Sequence, residues 1–490
     1  MDFLDPAKKR AHIIRLFIGY GLIAIAVAIT ALILLYQSFG YDVDRTTGKV
    51  IQNGLLFVAA HPESASIYLN GELNKSKTDA RLPIPAGQYS LELKRDGYRP
   101  WKRLITLDGG SIQRVEYPIL FPEKLTTTDV QLYSSVPAMA TSSLDHKWLL
   151  VQTPDSVAQF DNFDLTNPSQ PPTTLTIPAT TLTAAAGAQS LTAIEWSNDN
   201  RHLLMSHNFD GQSEFILVDR EVPANSININ TLTSTAPTKV TLLDKRNDQL
   251  LVYDAKTLVL QKYDVKAKTL VPVLQNVTSY VSSGPDFILY TSGGGTASPG
   301  LVIVRIWDGN ASYDIHTYPA GTTVRLDLAQ YNSNWYTAVA PSGTGRTFIY
   351  KNPHTTLKLF KNKMLVPTSI LKLDEPNYVS MSGNGQFVLA EKGSKFGVYD
   401  IETDKRFYFD TKQAVAADQH TDWLDNFHLS MTIDGHLQVF DFDGANLQTL
   451  TANTFGFQPF TSRDNNTLFN IAPSVVVPGR PALTSTKLKL

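Results

Sequence analysis

The chain has 490 residues, with 43 Lys and Arg, 45 Asp and Glu and no cysteine. At about 100–200 residues per domain, this length predicts two or three domains. The lack of cysteine excludes disulfides, thiolate zinc sites and a cysteine nucleophile. The nearly balanced charge gives no sign of a nucleic-acid partner. A hydrophobic fraction of 42% with 10% aromatic residues excludes wholesale disorder.

The first predicted element is a transmembrane helix. Residues 16–36 read LFIGYGLIAIAVAITALILLY, a run without any charge. A helix of this length extends about 31 Å, which matches a bilayer core of about 30 Å. A cleavable signal peptide has a shorter apolar run, and residues 37–40 are a poor cleavage site. We therefore expect an uncleaved anchor in contact with the lipid bilayer.

Flanking charges predict the orientation of this anchor. Basic residues precede the span and acidic residues follow it: Lys8, Lys9, Arg10 and Arg15, then Asp42 and Asp44. Because positive charge stays in the cytoplasm, we expect residues 1–15 inside and everything after the span outside. The two aspartates also raise the question of a calcium site in 42–48. Asn53 stands where a calcium loop has its glutamate, so a turn at 47–49 between two short strands is favoured.

Residues 41–118 are predicted to form a small antiparallel β-sandwich. In one segment the apolar residues alternate strictly, which places Tyr89, Leu91 and Leu93 on one face of a strand. An earlier strand runs into Asn70-Gly71, the dipeptide that most strongly favours a hairpin turn. Short strands with a turn about every ten residues are typical of a sandwich.

The same segment resembles the PEGA domain. The resemblance rests on GLLFV at 54–58, HPESA at 61–65, IYLNG at 67–71 and IPAGQY at 84–89. The tetrapeptide that names the domain appears as Pro-Glu-Ser-Ala, so serine replaces its glycine. The resemblance implies a bacterial extracytoplasmic β-sandwich of cell-surface proteins, which is non-catalytic and often adjoins other domains. It implies no ligand.

The predicted sandwich is the basic part of the chain. Residues 45–118 hold 11 Lys and Arg against seven Asp and Glu, whereas residues 119–490 hold 28 against 34. A basic domain beside a bilayer can bind anionic lipid or wall polymer, each charge contributing about 1 kcal/mol. A solvated face of a small domain is the alternative. The candidate contact residues are Lys94, Arg95, Arg99, Lys102 and Arg103.

From residue 119 to the end the chain repeats one unit, a polar turn followed by an apolar strand and a second strand that ends near Asp. Eight copies occur 38–54 residues apart; the clearest are SSLDHKWLLV at 142–151, WSNDNRHLLM at 196–205, SMSGNGQFVL at 380–389 and LDNFHLS at 424–430. Repeats of about 40–50 residues predict a β-propeller, because one four-stranded blade cannot bury both faces alone. The units resemble the WD40-like, TolB-type repeat of bacterial envelope proteins.

Eight blades are expected, with seven as the alternative. The last copy shows only two strands, so residues just after the sandwich are expected to complete it. Residues 168–187, rich in Thr, Ala and Pro, are predicted to form a long surface excursion. The expected fold class is therefore all-β, with an N-terminal transmembrane helix, a PEGA-like antiparallel sandwich and a seven- or eight-bladed propeller.

No catalytic motif accompanies these elements. The sequence has no His-Glu-x-x-His helix, Gly-x-Ser-x-Gly elbow or phosphate-binding loop, and the glycine clusters at 293–295 and 342–345 are typical of hairpin turns. The aspartate that recurs in the blade turns caps them by bonding its own backbone. It stands at Asp145, Asp199, Asp286 and Asp425. We therefore assign no catalytic residue, no metal ligand and no cofactor.

These features predict a membrane-anchored, non-catalytic surface protein that binds an envelope protein or a cell-wall glycan through propeller loops. Trp307, Trp335 and Trp423 are candidate anchors for that partner, with core packing as the alternative for each. The rival hypothesis is an envelope hydrolase using carboxylates of the propeller channel, which a close, unpaired pair would favour. A purely structural surface component is the third possibility.

Overall fold

The computed structural model describes residues 6–38, 40–43, 50–293, 300–360, 365–415 and 419–490. The chain divides into an N-terminal unit, 1–124, and a C-terminal unit, 125–490. The predicted turn at 47–49, most of the segment tested for calcium and the end of the 293–295 glycine cluster lie outside the described residues.

The N-terminal unit begins with one long helix, α1 (Pro6–Ser38). Its apolar side chains are exposed rather than packed, with Phe17 80% exposed. The stretch His12–Ser38 is long and apolar enough to cross a membrane, with a mean hydropathy of 2.6. By length and composition alone, such a helix fits either a membrane anchor or a signal sequence.

Two four-stranded sheets follow, one with β1, β2, β5 and β8 and the other in the order β4-β3-β6-β7. Their strands are β1 (Tyr41–Val43), β2 (Val50–Val58), β3 (Ser66–Leu69), β4 (Glu72–Lys77), β5 (Ala80–Pro85), β6 (Gly87–Lys94), β7 (Trp101–Leu107) and β8 (Ile112–Val115). The predicted sandwich is confirmed, but it is not purely antiparallel, because β8 pairs in parallel with β2.

The inward-facing side chains of both sheets form one hydrophobic core. Leu91 and Leu93 are fully buried, as their alternation predicts, and Tyr89 packs against the edge of this core. Asn70 and Gly71 connect β3 to β4 with φ values of 53° and 87°. Positive φ at both central residues matches the right-handed twist of the flanking strands, which is why Asn-Gly favours this turn.

The C-terminal unit contains eight four-stranded antiparallel sheets within the described ranges, here called blades 1 to 8. Blades 1 to 4 comprise β10 (Ala140–Ser142), β11 (Trp148–Gln152), β12 (Gln159–Asp164), β13 (Thr173–Thr176); β14 (Gln189–Trp196), β15 (His202–Phe209), β16 (Gln212–Asp219), β17 (Ile227–Asn228); β18 (Lys239–Leu242), β19 (Gln249–Asp254), β20 (Val259–Asp264), β21 (Thr269–Leu274); and β22 (Val277–Ser283), β23 (Phe287–Gly293), β24 (Val302–Trp307), β25 (Ser312–Tyr318).

Blades 5 to 7 follow the same pattern, and blade 8 takes one strand from the start of the unit. They comprise β26 (Val324–Tyr331), β27 (Asn334–Pro341), β28 (Arg346–Lys351), β29 (Ser369–Lys372); β30 (Tyr378–Met381), β31 (Phe387–Lys392), β32 (Lys395–Asp400), β33 (Lys405–Asp410); β34 (Asp422–Trp423), β35 (His428–Ile433), β36 (His436–Asp441), β37 (Gln448–Ala452); and β38 (Phe460–Thr461), β39 (Thr467–Pro473), β40 (Pro481–Lys487), β9 (Thr126–Leu132). A short helix, α2 (Pro353–Leu359), lies between β28 and β29.

The ring of blades is closed by β9, the first strand of the C-terminal unit. It pairs antiparallel with β40, from Ala482 opposite Leu132 to Lys487 opposite Thr126. The expectation that residues after the sandwich complete the last repeat is therefore confirmed, and so is the eight-blade propeller. Closure protects the first and last blades from exposing open edges.

One sequence expectation is wrong. Residues 168–187 are not only a surface excursion, because β13 forms the fourth strand of blade 1 within them. Leu175 and Ile177 of this region are buried in the core between blades 1 and 2. The four-residue strand is Thr-rich and flanked by prolines, so its composition resembles that of a loop.

The first strand of each blade lies closest to the neighbouring blades. Lys239 Nζ on β18 donates a 2.9 Å hydrogen bond to the Tyr280 carbonyl on β22. Asp327 Oδ2 on β26 accepts one from the Met381 N–H on β30, at 2.6 Å. Strands can approach one another in this way only near the centre of a ring of sheets, so the first strands are the inner ones.

The turn between the first and second strands marks one end of every blade, and it is where the sequence repeat begins. Asp199 accepts the backbone N–H groups two and three residues later, both at 3.0 Å. Asp425 does the same at 2.7 Å. The interpretation of these recurrent aspartates as turn caps is confirmed at both positions.

Candidate binding site

An open pocket of about 310 Å³ lies between blades 7 and 8, at the end of blade 7 away from its turn aspartate. This volume is at the lower end of the range for small-molecule sites, about 300–1,000 Å³. More than half of the lining residues are polar: Gln419, His420, Asp422, Ser430, Thr432 and Gln458. The pocket is thus a small polar recess on the face where the inner strands begin.

His420 forms part of the rim and is held on two sides. Its Nδ1 lies 3.4 Å from Asp422 Oδ1, because alternate residues of an extended segment point to the same side. Its ring stacks on Tyr378 of blade 6, with ring centres 3.7 Å apart and planes 2° apart. The hydrogen bond with Asp422 raises the pKa of His420. The imidazole therefore has a fixed orientation, although 42% of the side chain is exposed.

A buried carboxyl group lies beside this pair. Glu391 projects from β31 of blade 6 and is fully buried, and its Oε2 accepts the Thr421 N–H at 2.9 Å. The Thr421 hydroxyl also interacts with this carboxyl group. Burial raises the pKa of Glu391 to about 7. The group therefore exchanges its proton close to neutral pH, and it lies next to a histidine whose pKa is also raised.

A second buried side chain holds the far wall of the pocket. Asn453, 1% exposed, donates from Nδ2 to Thr432 Oγ1 and to the Phe457 carbonyl, both at 2.7 Å. These bonds connect segment 456–459 to the second strand of blade 7. Gly456 has a φ of 86°, and a Cβ at that position would lie 3.6 Å from Gln419 Nε2. The backbone of this wall of the pocket is therefore held in place by Asn453.

The structure does not gather the five basic candidates of the N-terminal unit on one face. Lys94 and Lys102 share the outer face of their sheet, where both pair with Glu92 at 3.1 and 2.8 Å. Alternation along β7 points Arg103 to the opposite face, where it contacts the Tyr117 hydroxyl and lies 5.5 Å from its ring. Glu92 offsets part of the charge of the lysine pair.

The other two arginines lie near the turn after β6. Arg95 Nη1 donates to the Glu63 carbonyl, and its guanidinium lies 5.3 Å from the centre of the Tyr98 ring. Arg99 is half-buried, and its N–H donates to the Phe121 carbonyl at 2.8 Å. Contact of these residues with anionic lipid or polymer stays a prediction.

The three tryptophans proposed as partner anchors are packed within the C-terminal unit. Trp335 lies 4.2 Å from the Phe287 ring. Trp423 Nε1 donates to Ser380 Oγ at 3.1 Å, across the boundary between blades 7 and 6. Trp307 packs against a buried cluster of blades 3 and 4. Core packing, the alternative to a role as partner anchors, therefore describes all three tryptophans.

The carboxylates of the inner strands already have protein partners. Glu195 accepts the Leu242 N–H of the next blade, and burial raises the pKa of Glu195. Asp327 accepts the Met381 N–H, and burial raises its pKa to about 6. Asp422 pairs with His420. Among the described residues, no group of three or more His, Asp or Glu is arranged to hold a metal ion.

Sequence reasoning missed the pocket. Its parts come from three separate places: Tyr378 and Glu391 in blade 6, His420 and Asp422 at the start of blade 7, and the segment before blade 8. The signal in the sequence was the His-x-Asp spacing at 420–422, which puts two polar groups on one side of an extended segment. Nothing in the sequence shows that a glutamate 30 residues earlier lies beside them.

Comparisons with known proteins identify one domain family. Residues 53–119 match the PEGA domain, which confirms the resemblance of the N-terminal unit. No curated protein matches the chain significantly. Similar solved structures include the Dos1 propeller, with 13% identity over 74% of this chain and 95% of that one and a TM-score of 0.43. An oligogalacturonate lyase from Vibrio parahaemolyticus shows 11% identity over 75% of this chain and 99% of that one, with a TM-score of 0.40.

Proposed function

We propose that this protein, which combines a PEGA domain with an eight-bladed propeller, is a membrane-anchored binding protein of the bacterial cell envelope. In this proposal α1 holds the chain in the membrane with its N-terminus in the cytoplasm. The PEGA domain acts as a spacer and the propeller captures the ligand. The observation that carries the binding role is the preorganised polar pocket between blades 7 and 8.

The membrane role is supported by the helix itself. It is 33 residues long, and no residue of its most apolar stretch is buried. Lys9, Arg10 and Arg15 precede the apolar stretch, so the positive-inside rule favours a cytoplasmic N-terminus. We expect the full chain to stay in membranes after an alkaline wash. We also expect protease added outside the cell to digest the propeller. Release by the wash would contradict anchoring.

The binding role is favoured over hydrolysis by the state of the acidic residues. A glycoside hydrolase needs two carboxyl groups that both reach the substrate, roughly 5–10 Å apart. Here Glu391 is fully buried and accepts a hydrogen bond from the Thr421 N–H, and Asp422 forms an ion pair with His420. An acid that substrate cannot reach does not protonate a leaving group. We therefore propose a non-catalytic site.

The test uses the full chain in lipid nanodiscs as bait for an envelope extract. Two variants differ by position within one loop: Phe457→Ser alters a pocket residue, and Phe455→Ser alters a neighbour that is 51% exposed and does not line the pocket. We expect Phe457→Ser to lose at least about 90% of the specifically retained material, a tenfold affinity change. Equal retention by both variants would contradict the pocket as the binding site. Release of soluble sugar or peptide would favour the hydrolase.

A further inference from the structure

We infer that the pocket between blades 7 and 8 binds an uncharged, hydroxyl-rich saccharide of one or two rings. This inference rests on the proposed binding function and names the ligand class of the same site. Its basis is the combination of hydrogen-bonding groups, apolar surface, charge and size within the described lining residues.

The hydrogen-bonding groups of the pocket suit hydroxyls. Gln419 and Gln458 each offer an amide donor and an amide acceptor, Ser430 and Thr432 offer hydroxyls, and Asp422 offers acceptors. A sugar hydroxyl both donates and accepts, so a ring with several hydroxyls can satisfy this mixed set. A site built to bond hydroxyls discriminates strongly against ligands that lack them, because its polar groups are then left unpaired.

A buried oxygen beside the pocket is also unpaired. Asn453 Oδ1 is an acceptor in a residue that is 1% exposed, and it has no donor among the described residues. The same side chain holds the wall formed by segment 456–459. A buried acceptor without a donor is costly. A bridging water between this oxygen and a bound ligand would relieve that cost.

The apolar part of the lining suits the faces of a sugar ring. A pyranose presents C–H groups on its faces and hydroxyls around its edge. Phe457 and Pro459 lie on one wall, and the buried side chains of Met431 and Leu437 lie on another. Sites that combine an aromatic or apolar wall with a few placed polar groups are the usual arrangement for small polar ligands.

Charge excludes the main competing ligands. The described lining contains no Lys or Arg, and its histidine, His420, is already paired with Asp422. A phosphate or uronate would therefore have to compete with that carboxylate for His420. A cationic ligand would have to compete with His420 for that carboxylate. A neutral ligand meets neither obstacle. The volume of about 310 Å³ limits it to one or two rings within the pocket.

The test is saturation-transfer NMR on the full chain in lipid nanodiscs, because maltoside detergents would themselves occupy a sugar site. The probes are cellobiose, maltose and N,N′-diacetylchitobiose as neutral disaccharides, digalacturonate as an anionic disaccharide and trialanine as a peptide. We expect transfer to at least one neutral disaccharide and none to digalacturonate or trialanine. Gln458→Ala and Phe457→Ser should each weaken that binding about tenfold or more, whereas Phe455→Ser should leave it within about twofold.

The outcomes separate this inference from the proposed function. If no neutral disaccharide shows transfer but Phe457→Ser still abolishes retention of an envelope protein, the site binds a protein and the saccharide inference is overturned alone. If neither sugar nor envelope material depends on the pocket residues, both fail. Transfer to digalacturonate at least as strong as to the neutral sugars would overturn the charge argument. Unchanged unfolding midpoints of the variants show that any loss is local.

Discussion

The two ends of the propeller blades are built on different principles. At the end where the first and second strands meet, a side-chain cap of the turn recurs in several blades, as Asp199 and Asp425 show. At the opposite end, blade 7 presents His420, Asp422 and a pocket that has no repeated counterpart in the sequence. At the regular end the aspartate caps bond backbone groups of their own blade, and neighbouring turns also bond one another, as the Asp145 N–H does to Asn200 Oδ1 at 3.1 Å. The irregular end combines side chains from several blades, which is where a ligand can be recognised.

The contrast separates residues that stabilise the fold from residues that are available to a ligand. A turn cap satisfies backbone groups of its own blade, so its removal destabilises the fold. A rim residue such as Gln458 is exposed and makes no described hydrogen bond within the protein, so it is free to serve a ligand. The contrast is therefore testable as a difference in unfolding free energy between matched substitutions at the two ends.

The largest effect is expected from Phe387 at the regular end. This residue is fully buried between blades 6 and 7, with ring centres 4.2 Å from Phe442 and 5.9 Å from Trp423. Phe387→Ala removes an aromatic ring from a packed interface and should lower the free energy of unfolding by about 4 kcal/mol. Urea unfolding followed by tryptophan fluorescence measures this. Phe455→Ala, at an exposed position, is the control and should change it by less than about 0.5 kcal/mol.

The next effect is expected from the turn cap of blade 7. Asp425 accepts two backbone N–H groups, and its Oδ2 lies 2.8 Å from Nδ1 of the buried His428. Burial lowers the pKa of His428, but the charge and hydrogen bond of Asp425 together with the charge of Asp441 raise it by more. Asp425→Ala removes all three contacts and should cost about 3 kcal/mol. Asp425→Asn keeps a turn acceptor and should cost less. Equal losses for the two variants would contradict the role of the charge.

A pH-dependent effect is expected at the irregular end from Glu391. Its folded pKa of about 7 lies above the ordinary value of 4.5 because the group is buried. Unfolding therefore releases a proton between these two values, so stability falls as pH rises from about 4.5 to about 7. His420 has a raised pKa, so its contribution also declines with rising pH. Asp422 and Tyr378 are the other titratable groups facing this site.

Glu391→Gln should remove the larger part of this pH dependence. The stability of the variant relative to the original chain is expected to increase by about 2–3 kcal/mol between pH 4.5 and pH 7.5. Unfolding midpoints measured across that pH range test it. Glu375→Gln is the matched control, because Glu375 is an exposed glutamate near the same blade, 3.3 Å from Lys392. Parallel pH profiles for the two variants would show that Glu391 does not titrate in this range.

The sequence predicted the regular parts of the molecule. Alternation and the Asn70-Gly71 dipeptide located the sandwich, and the recurrent turn located all eight blades, because both patterns are local and repeat at short range. β13 was missed because four Thr-rich residues between prolines have too little pattern to identify a strand. The site was missed for a different reason. The approach of Glu391 to Thr421 depends on how two blades pack, which no local pattern reports.

The smallest effects give the sharpest test, because they compare the same substitution at both ends. Gln249 is 9% exposed and donates from Nε2 to Asp264 Oδ2 at 2.6 Å, whereas Gln458 is an exposed pocket residue. Gln249→Ala should cost about 1.5–2 kcal/mol, the lower part of the range for losing a hydrogen bond to a charged group. Gln458→Ala should change the free energy of unfolding by less than about 0.5 kcal/mol. Equal costs at the two positions would mean that the pocket rim stabilises the fold, and that it is not reserved for a ligand.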